Sequence, residues 1–236
     1  MLAIICLFLL FGVTFAAQVC ATQAADIYET RRGSFDGIGK FYMGREIAHV
    51  MGHQAADWLE RPERKAEEGT EKLLPLLGIK PTDVLADIGA GTGYFSFRMA
   101  TAAPQGKVYA VDIQQEMLDM IAARQRQGAP ANVVPVLGTE SDPKLPAGEV
   151  DLILLVDAYH EFSFPREMGE GMVRGLKSGG RIALVEYRAE DQAVPIKTLH
   201  KLSVKQAKAE MAALGLQFVK SDESLPWQHV MFFAKP

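Results

Sequence analysis

The stretch that decides the fold is residues 84–94, which read Val-Leu-Ala-Asp-Ile-Gly-Ala-Gly-Thr-Gly-Tyr. The first five residues form an apolar run typical of a buried strand, and a helical pattern begins at Tyr94. The three glycines between them allow a tight turn and bring backbone N–H groups close to a ligand at the helix N-terminus. We therefore predict a strand, a ligand-binding loop and a helix in this order.

Outward from this stretch, apolar strand patterns alternate with helical patterns. Runs rich in Val, Ile and Leu predict strands at 84–88, 108–111, 133–137, 150–156 and 182–185. Two last strands are predicted as an antiparallel pair that closes the sheet, at 217–220 and 230–234. Helices are predicted at 94–103, 114–127, 166–177 and, after a capping-box start at Ser203, at 204–214. This order predicts an α/β fold whose mostly parallel, seven-stranded sheet is covered by helices on both faces.

The segment ahead of the sheet, residues 26–80, does not follow this alternation. It contains two helical patterns, at 45–59 and 63–77, and Gly78 ends the second. Since these helices cannot belong to the alternating sheet, we predict an N-terminal helical cap over one edge of it. The core domain is then predicted to span residues 81–236.

The first 25 residues form an apolar leader without a charged side chain. Small residues at 19 and 21 stand where a signal peptidase cuts, so we expect a signal peptide and an exported protein, periplasmic or secreted. The first basic residues, Arg31 and Arg32, follow the apolar run, which leaves a membrane anchor with the domain facing the cytoplasm as the alternative. Membrane contact is expected only through this leader.

The composition is that of an ordinary globular protein with small or neutral partners. The chain has 236 residues, 48% hydrophobic and 23% charged, which excludes collagen-like and disordered classes. Acidic side chains number 29 and basic ones 25, a formal charge of -4, without the basic excess of a nucleic-acid-binding protein. Both cysteines lie in the leader, so we expect no disulfide and no thiolate metal site after cleavage.

The glycine spacing and two acidic residues narrow the choice of ligand. The loop reads G-x-G-x-G, whereas the dinucleotide pattern G-x-G-x-x-G requires a glycine at position 94, where this chain has Tyr94. Asp87, two residues before the first glycine, can accept hydrogen bonds from a ligand ammonium. Asp112, at the end of the next strand, can accept both hydroxyls of a ribose. Together these residues predict a site with an amino-acid end and a nucleoside end.

The run 87–93, followed by Val111-Asp112, resembles motifs I and II of class I S-adenosylmethionine-dependent methyltransferases, and the resemblance covers about residues 60–236. It implies a Rossmann-like, doubly wound fold with S-adenosyl-L-methionine as the cofactor. It also implies that Asp87 lies near the methionine ammonium and that Asp112 binds the ribose. The other contacts that it implies are Gly89, Gly91 and Gly93 against the cofactor, Ile113 under the adenine and Asp142 at the adenine edge.

The methyl acceptor is expected near the ends of the fourth and fifth strands, because ligands of open α/β sheets lie outside the carboxyl ends of the strands. His160 is the predicted base or acceptor-orienting group, since imidazole titrates near neutral pH, and a structural histidine is the alternative. Tyr159 and Tyr187 are further candidate residues of the acceptor pocket. Asp157 is predicted to contact the cofactor or the backbone at the strand end.

His49 and His53 lie four residues apart within the first predicted helix and therefore share one of its faces. This spacing could serve a metal ion, but no third ligand is evident in the sequence. We expect a packed or hydrogen-bonded histidine pair, and no metal site is predicted.

These features favour a methyltransferase that acts on a small-molecule acceptor by one-step displacement. A non-catalytic protein that binds S-adenosylmethionine or S-adenosylhomocysteine with the same fold is the alternative, because the cofactor is made in the cytosol and we expect export. An NAD-dependent oxidoreductase is a third hypothesis, and the loop spacing argues against it.

Overall fold

The computed structural model describes residues 27–236, which begin with a small antiparallel sheet and three short helices. The strands are β1 (Tyr28–Thr30), β2 (Gly37–Tyr42) and β3 (Arg45–Ala48). The helices are α1 (Ala56–Leu59), α2 (Arg64–Glu68) and α3 (Thr70–Leu77). Strands and helices thus both precede the main sheet.

The rest of the chain alternates strands and helices, as the sequence predicts. The strands are β4 (Val84–Ile88), β5 (Lys107–Asp112), β6 (Val133–Leu137), β7 (Val150–Val156), β8 (Leu176–Arg188), β9 (Lys201–Leu202), β10 (Gln217–Asp222) and β11 (Gln228–Ala234). The helices are α4 (Tyr94–Ala102), α5 (Gln115–Arg126), α6 (Pro165–Gly175) and α7 (Val204–Ala212). Ser203 caps α7, since its Oγ accepts a hydrogen bond from the Gln206 N–H at 3.1 Å.

Seven strands form the main sheet in the order β10-β11-β8-β7-β4-β5-β6, and β9 pairs with the end of β8. The five strands from β8 to β6 in this order run parallel, whereas β11 is antiparallel to β8 and β10. The predicted mostly parallel sheet with an antiparallel C-terminal strand is confirmed. The strand order reverses between β4 and β7, which opens a crevice at their carboxyl ends where ligands of such sheets bind.

Helices cover both faces of this sheet. Alternate residues of β7 point to opposite sides, so Leu152 shares an apolar cluster with Met99 of α4 and Ile153 shares another with Met172 of α6. All four side chains are buried. Cores on both faces fix the strand ends, and with them the residues that surround the crevice.

The predicted helix at 45–59 is wrong in its first half, where the chain forms β3. Met43 and Gly44 have φ angles of 48° and 87°, and two successive positive φ values are typical of the tight turn of a β-hairpin. This turn pairs Tyr42 of β2 with Arg45 of β3. The N-terminal segment is therefore a hairpin followed by short helices, and His49 and His53 do not share a helix face.

A buried ion pair fixes this hairpin to the core. Arg45 Nε and Nη2 donate to the two carboxylate oxygens of Glu210 on α7, at 2.8 and 3.0 Å, and Glu210 is fully buried. Arg45 Nη1 also donates to the carbonyl oxygen of His160 at 3.2 Å. Since a bidentate arginine–carboxylate pair has a defined geometry, the hairpin helps to position the segment that follows β7.

The predicted signal peptide or anchor, residues 1–25, lies outside the described residues. From residue 27 to residue 236, no helix has both the length and the apolar character needed to cross a bilayer. The boundary that we place between an N-terminal segment and the core, at residue 80, stays a prediction.

Candidate functional site

A large cavity opens at the carboxyl edge of the sheet, beside the point where the strand order reverses. Its volume is about 410 Å³, within the range of ligand-binding clefts. At one end, which we call the loop end, it is lined by Gly89, Gly91 and Asp112. At the other, which we call the histidine end, it is lined by His160, Glu161 and His200. Pro195, Ile196 and Lys197, which like His200 lie in the connection after β8, also belong to the histidine end.

The glycine loop has a backbone that only glycine adopts without strain. Gly89 and Gly91 have φ angles of 77° and 53°. A Cβ on Gly89 would lie 2.6 Å from the Ala158 Cβ, and one on Gly91 would lie 2.5 Å from the Leu59 Cδ1. The loop is held against β5, because the Gly89 N–H donates to the Val111 carbonyl oxygen at 2.9 Å. These glycines therefore keep the backbone of the loop at the wall of the cavity.

Asp112 joins the glycine loop to the end of β5. Its Oδ2 accepts a hydrogen bond from the Gly91 N–H and its Oδ1 one from the Gln114 N–H, both at 2.9 Å. Burial raises the pKa of Asp112, while these backbone N–H groups oppose the rise. Asp112 and the exposed Ile113 both line the cavity, as predicted for the nucleoside end.

Asp87 and Gly93 lie behind the cavity wall. The Asp87 carboxylate accepts a hydrogen bond from the Ser96 hydroxyl at 2.6 Å, and burial raises the pKa of Asp87 to about 6. A Cβ on Gly93 would lie 2.9 Å from the Phe97 ring. Neither residue lines the cavity, so the structure does not bring Asp87 to the position that we expected beside a ligand ammonium.

Asp157, directly after β7, lines the same cavity and contains a buried oxygen without a hydrogen-bond partner in the described part of the chain. Its Oδ2 accepts a hydrogen bond from Gln228 Nε2 at 2.6 Å, whereas Oδ1 has no partner among residues 27–236. Burial, together with the carboxylates of Glu68 and Glu186, raises the pKa of Asp157 well above its usual range. A buried polar atom without a partner is costly, so the Asp157 carboxyl group is a candidate contact for a polar group of a ligand.

Asp142 lies outside the cavity, contrary to the expectation that it contacts a ligand. Its Oδ1 accepts a hydrogen bond from the Lys144 N–H at 2.9 Å, within a turn. Thr139 and Glu140 line the cavity in its place. The acidic residue at this position of the wall is therefore Glu140.

His160 lies at the histidine end and is 2% exposed. Its Nδ1 is 2.6 Å from Glu186 Oε2, and Glu186 Oε1 accepts a hydrogen bond from the Tyr159 N–H at 3.0 Å. Burial lowers the pKa of His160 and the Glu186 charge raises it, with a net rise. The other ring nitrogen, Nε2, lies 3.1 Å from His200 Nδ1. Burial and the charge of His160 lower the pKa of His200 to about 4.

The two candidate tyrosines have different positions. Tyr159 is fully buried and does not line the cavity, so the structure does not bring it to the predicted acceptor pocket. Its ring packs 5.6 Å from the Arg45 guanidinium instead. Tyr187 does line the cavity. Its hydroxyl donates to Glu68 Oε1 at 3.0 Å, and burial raises its pKa.

Several cavity residues were missed by the sequence analysis. The N-terminal segment contributes Arg61, Arg64 and Glu68, in which Arg61 Nη2 lies 2.6 Å and Arg64 Nε 2.7 Å from the Glu68 carboxylate. The i, i+4 spacing of Arg64 and Glu68 was a usable signal for their ion pair. Nothing in the sequence indicated that the pair of Arg64 and Glu68 would reach the cavity.

The residues of the loop end fit an adenosyl amino acid. Asp112 offers a carboxylate beside the backbone N–H groups of the loop, and the Asp157 carboxyl group lines the cavity after the adjacent strand. The exposed Ile113 offers an apolar surface to a flat base. Hydroxyl, cationic and aromatic groups of one ligand can thus be satisfied within a single wall of the cavity.

Comparison with known proteins gives a family and a fold. A family model described as "Methyltransferase domain" matches residues 79–230. A methyltransferase-like protein of Schizosaccharomyces pombe is 34% identical over 117 residues, which are 50% of this chain and 43% of that protein. A tRNA U34 carboxymethyltransferase of Desulfotalea psychrophila is 31% identical over 175 residues, which are 74% of this chain and 50% of that protein. The chain spans half or less of the length of these two curated relatives.

Among solved structures, a SAM-dependent methyltransferase from Aquifex aeolicus superposes with a TM-score of 0.74 at 22% identity. The superposition covers 79% of this chain and 100% of that one. At this identity the likeness shows that the two chains share a fold.

Proposed function

This chain belongs to the methyltransferase domain family, and on that premise we propose that it transfers a methyl group to a small-molecule acceptor by one-step displacement. S-adenosylmethionine is the cofactor, and we assign its binding to the loop end and Asp157. The observation that carries the proposal is the continuity of the cavity, which joins the loop end to the histidine end. A donor bound at one end and an acceptor bound at the other therefore share one cavity.

His160 is the residue to which we assign the handling of the acceptor. When bound, the cofactor supplies a methyl group on a sulfonium, so the protein has to orient the acceptor, exclude water and take up a proton where the acceptor carries one. The contact of Nδ1 with Glu186 fixes the ring, and we assign the acceptor to Nε2 together with His200 Nδ1, which lies 3.1 Å from it.

The charges around the cavity support a small acceptor. Its basic side chains are already paired: Arg61 and Arg64 contact Glu68, and Lys197 Nζ lies 2.6 Å from Asp36 Oδ1. Recognition of RNA depends on cations that are free to neutralise phosphates, and the whole chain carries a formal charge of -4. Although one relative is a tRNA carboxymethyltransferase, we therefore do not propose RNA as the acceptor of this chain.

The experiment that tests this proposal uses cofactor labelled on the methyl group, together with a cell extract divided into small molecules, RNA and protein. We expect label to enter the small-molecule fraction in the presence of the protein and to be lost with an Asp112→Ala variant. Label that appears only in RNA or protein contradicts the small acceptor. Tight binding of S-adenosylhomocysteine without transfer to any fraction favours a non-catalytic binding protein.

A further inference from the structure

Three side chains at the histidine end lie at the separations of metal ligands. His160 Nε2 lies 3.1 Å from His200 Nδ1. Glu161 Oε1 lies 3.8 Å from the first of these atoms and 3.6 Å from the second. A point equidistant from three atoms at these separations is about 2.0 Å from each, and imidazole nitrogens and carboxylate oxygens bind first-row metal ions at about this distance.

Two of these ligands are oriented by hydrogen bonds at their other atoms. His160 Nδ1 contacts Glu186 at 2.6 Å, which favours the tautomer with the proton on Nδ1 and the lone pair on Nε2. Glu161 Oε2 accepts a hydrogen bond from the Met51 N–H at 3.1 Å, which leaves Oε1 for the ion. A carboxylate behind a histidine is the usual outer partner of a metal-bound imidazole. Glu186 is fully buried and is therefore held in that position.

The third ligand comes from a separate segment. His200 ends a short 3-10 turn, Thr198–His200, directly before β9. Pairing of β9 with β8 places Lys201 opposite Tyr187, which brings the His200 ring to 5.0 Å from the His160 ring, between centroids. The three ligands therefore come from two elements that the main sheet positions independently of a metal ion.

We propose that His160, Glu161 and His200 bind one divalent first-row transition-metal ion with an open coordination position toward the cavity. Two imidazoles and one carboxylate suit ions such as Zn²⁺, Co²⁺ and Fe²⁺. Three protein ligands leave a position for a further ligand, and all three of these residues line the cavity. This assignment revises the expectation from sequence that the chain has no metal site.

The open position also defines a class of acceptor, and this step rests on the proposed function. A first-row ion at the histidine end can hold an oxygen atom of a hydroxyl or carboxylate, and it favours the ionised form of that group. The acceptors that we expect are therefore small molecules that carry such an oxygen at or beside the methylated atom.

Calorimetric titration of the chelator-treated full chain with ZnCl₂ tests the site without any acceptor. We expect one saturable equivalent per chain. Removal of an outer partner lowers metal affinity by about 10–100-fold, so Glu186→Gln is expected in that range and His200→Gln is expected to exceed it. His49→Gln is the matched control, because His49 is exposed and lies outside the cavity, and we expect it to bind Zn²⁺ like the unmodified chain.

His200→Gln is the decisive variant, because its side chain is 23% exposed, whereas the buried His160 contributes to folding. Unchanged Zn²⁺ affinity in His200→Gln, or no saturable binding by the unmodified chain, overturns the proposal and leaves His160 and His200 as a hydrogen-bonded pair. Co²⁺ serves as the spectroscopic probe: we expect its visible bands to shift on addition of acetohydroxamate, and unchanged bands contradict the open position.

S-adenosylhomocysteine is titrated into the same samples, so that failure of this inference and failure of the proposed function can be distinguished. Zn²⁺ binding without S-adenosylhomocysteine binding supports the metal site and contradicts the proposed function. Binding of S-adenosylhomocysteine without Zn²⁺ binding supports the assigned cofactor site and contradicts the metal site.

Discussion

The loop end and the histidine end of the cavity are built in different ways. The loop end comes from one continuous stretch, residues 84–94, and from Asp112 at the end of the adjacent strand. The histidine end combines His160, His200 and the Met51 N–H, which are separated by up to about 150 residues of chain. The first depends on local backbone geometry, whereas the second depends on the tertiary fold.

This difference indicates which of the two proposed roles of the cavity, cofactor binding or acceptor binding, tolerates changes in sequence. The backbone of the loop end is constrained by positive φ angles at Gly89 and Gly91 and by the two backbone hydrogen bonds of Asp112. At the histidine end, the connection after β8 can change without disturbing the sheet, because it lies outside the seven paired strands. We therefore expect cofactor binding to be insensitive to changes at the histidine end, and the predictions below test that separation.

The largest effect is expected for His160→Gln. Loss of a general base or orienting imidazole costs about 10²–10⁴-fold in turnover, whereas the loop end is untouched. We expect kcat to fall by that factor while the Kd for S-adenosylhomocysteine changes by less than about threefold. Transfer of labelled methyl groups and calorimetry provide the two measurements, with His49→Gln as the control. An equal loss of cofactor affinity contradicts the expectation that changes at the histidine end leave cofactor binding unaffected.

Asp112→Ala is expected to produce the converse result. It removes the acceptor of the Gly91 and Gln114 N–H groups as well as the predicted ribose contact. At about 1.5–3 kcal/mol for hydrogen bonds to a charged group, we expect S-adenosylhomocysteine to bind roughly 100-fold more weakly, with Zn²⁺ affinity unchanged. Asp119→Ala, on the exposed face of α5, is the control. Unaltered cofactor affinity places the nucleoside end elsewhere.

Asp87 gives a pH dependence of stability that belongs to the loop end. Its pKa is raised to about 6 in the folded chain, so its contribution to stability is present at low pH and is lost as pH rises through that value. Relative to Asp87→Asn, we expect the free energy of unfolding of the unmodified chain to fall by about 2 kcal/mol between about pH 4.5 and 7. Urea unfolding at both pH values measures it. A pH-independent difference between the two chains contradicts a carboxyl group with this pKa.

The smallest effect is expected for Tyr187→Phe. The Tyr187 hydroxyl donates to Glu68, which keeps its contacts with Arg61 and Arg64 in the variant. Loss of one hydrogen bond to a charged group costs about 1.5–3 kcal/mol of folding stability, but the hydroxyl is assigned no contact with the reacting groups, so we expect turnover to change by less than about fivefold. A loss as large as that of His160→Gln means that the hydroxyl contacts the reacting groups directly.

The sequence predicts the loop end well because the required geometry is local. Three glycines, a preceding strand and a following helix determine the turn, and Asp112 ends the next strand of the alternation. Asp142 fails because its position in a turn depends on the Lys144 N–H, which offers the side chain a local partner. Asp87 lies behind the cavity wall, where one of its oxygens accepts a hydrogen bond from Ser96 in the first turn of α4.

The histidine end could be predicted only in part. His160 follows a strand and was found by its position. His200 and Glu186 were not, because the pairing of β9 with β8 and the burial of Glu186 are tertiary features. The hairpin was missed because the apolar spacing of 45–59 is that of a helix. The turn before it has positive φ angles at Met43 and Gly44, and methionine is not among the residues that usually signal such a turn.

The most direct test of the central claim is calorimetric titration of the full chain with S-adenosylmethionine, S-adenosylhomocysteine and NAD in parallel. We predict saturable one-to-one binding of the first two, weakened in Asp112→Ala and retained in His160→Gln, with no binding of NAD. Binding of NAD, or no binding of either adenosyl ligand, contradicts the assignment of the loop end as the cofactor site of a methyltransferase.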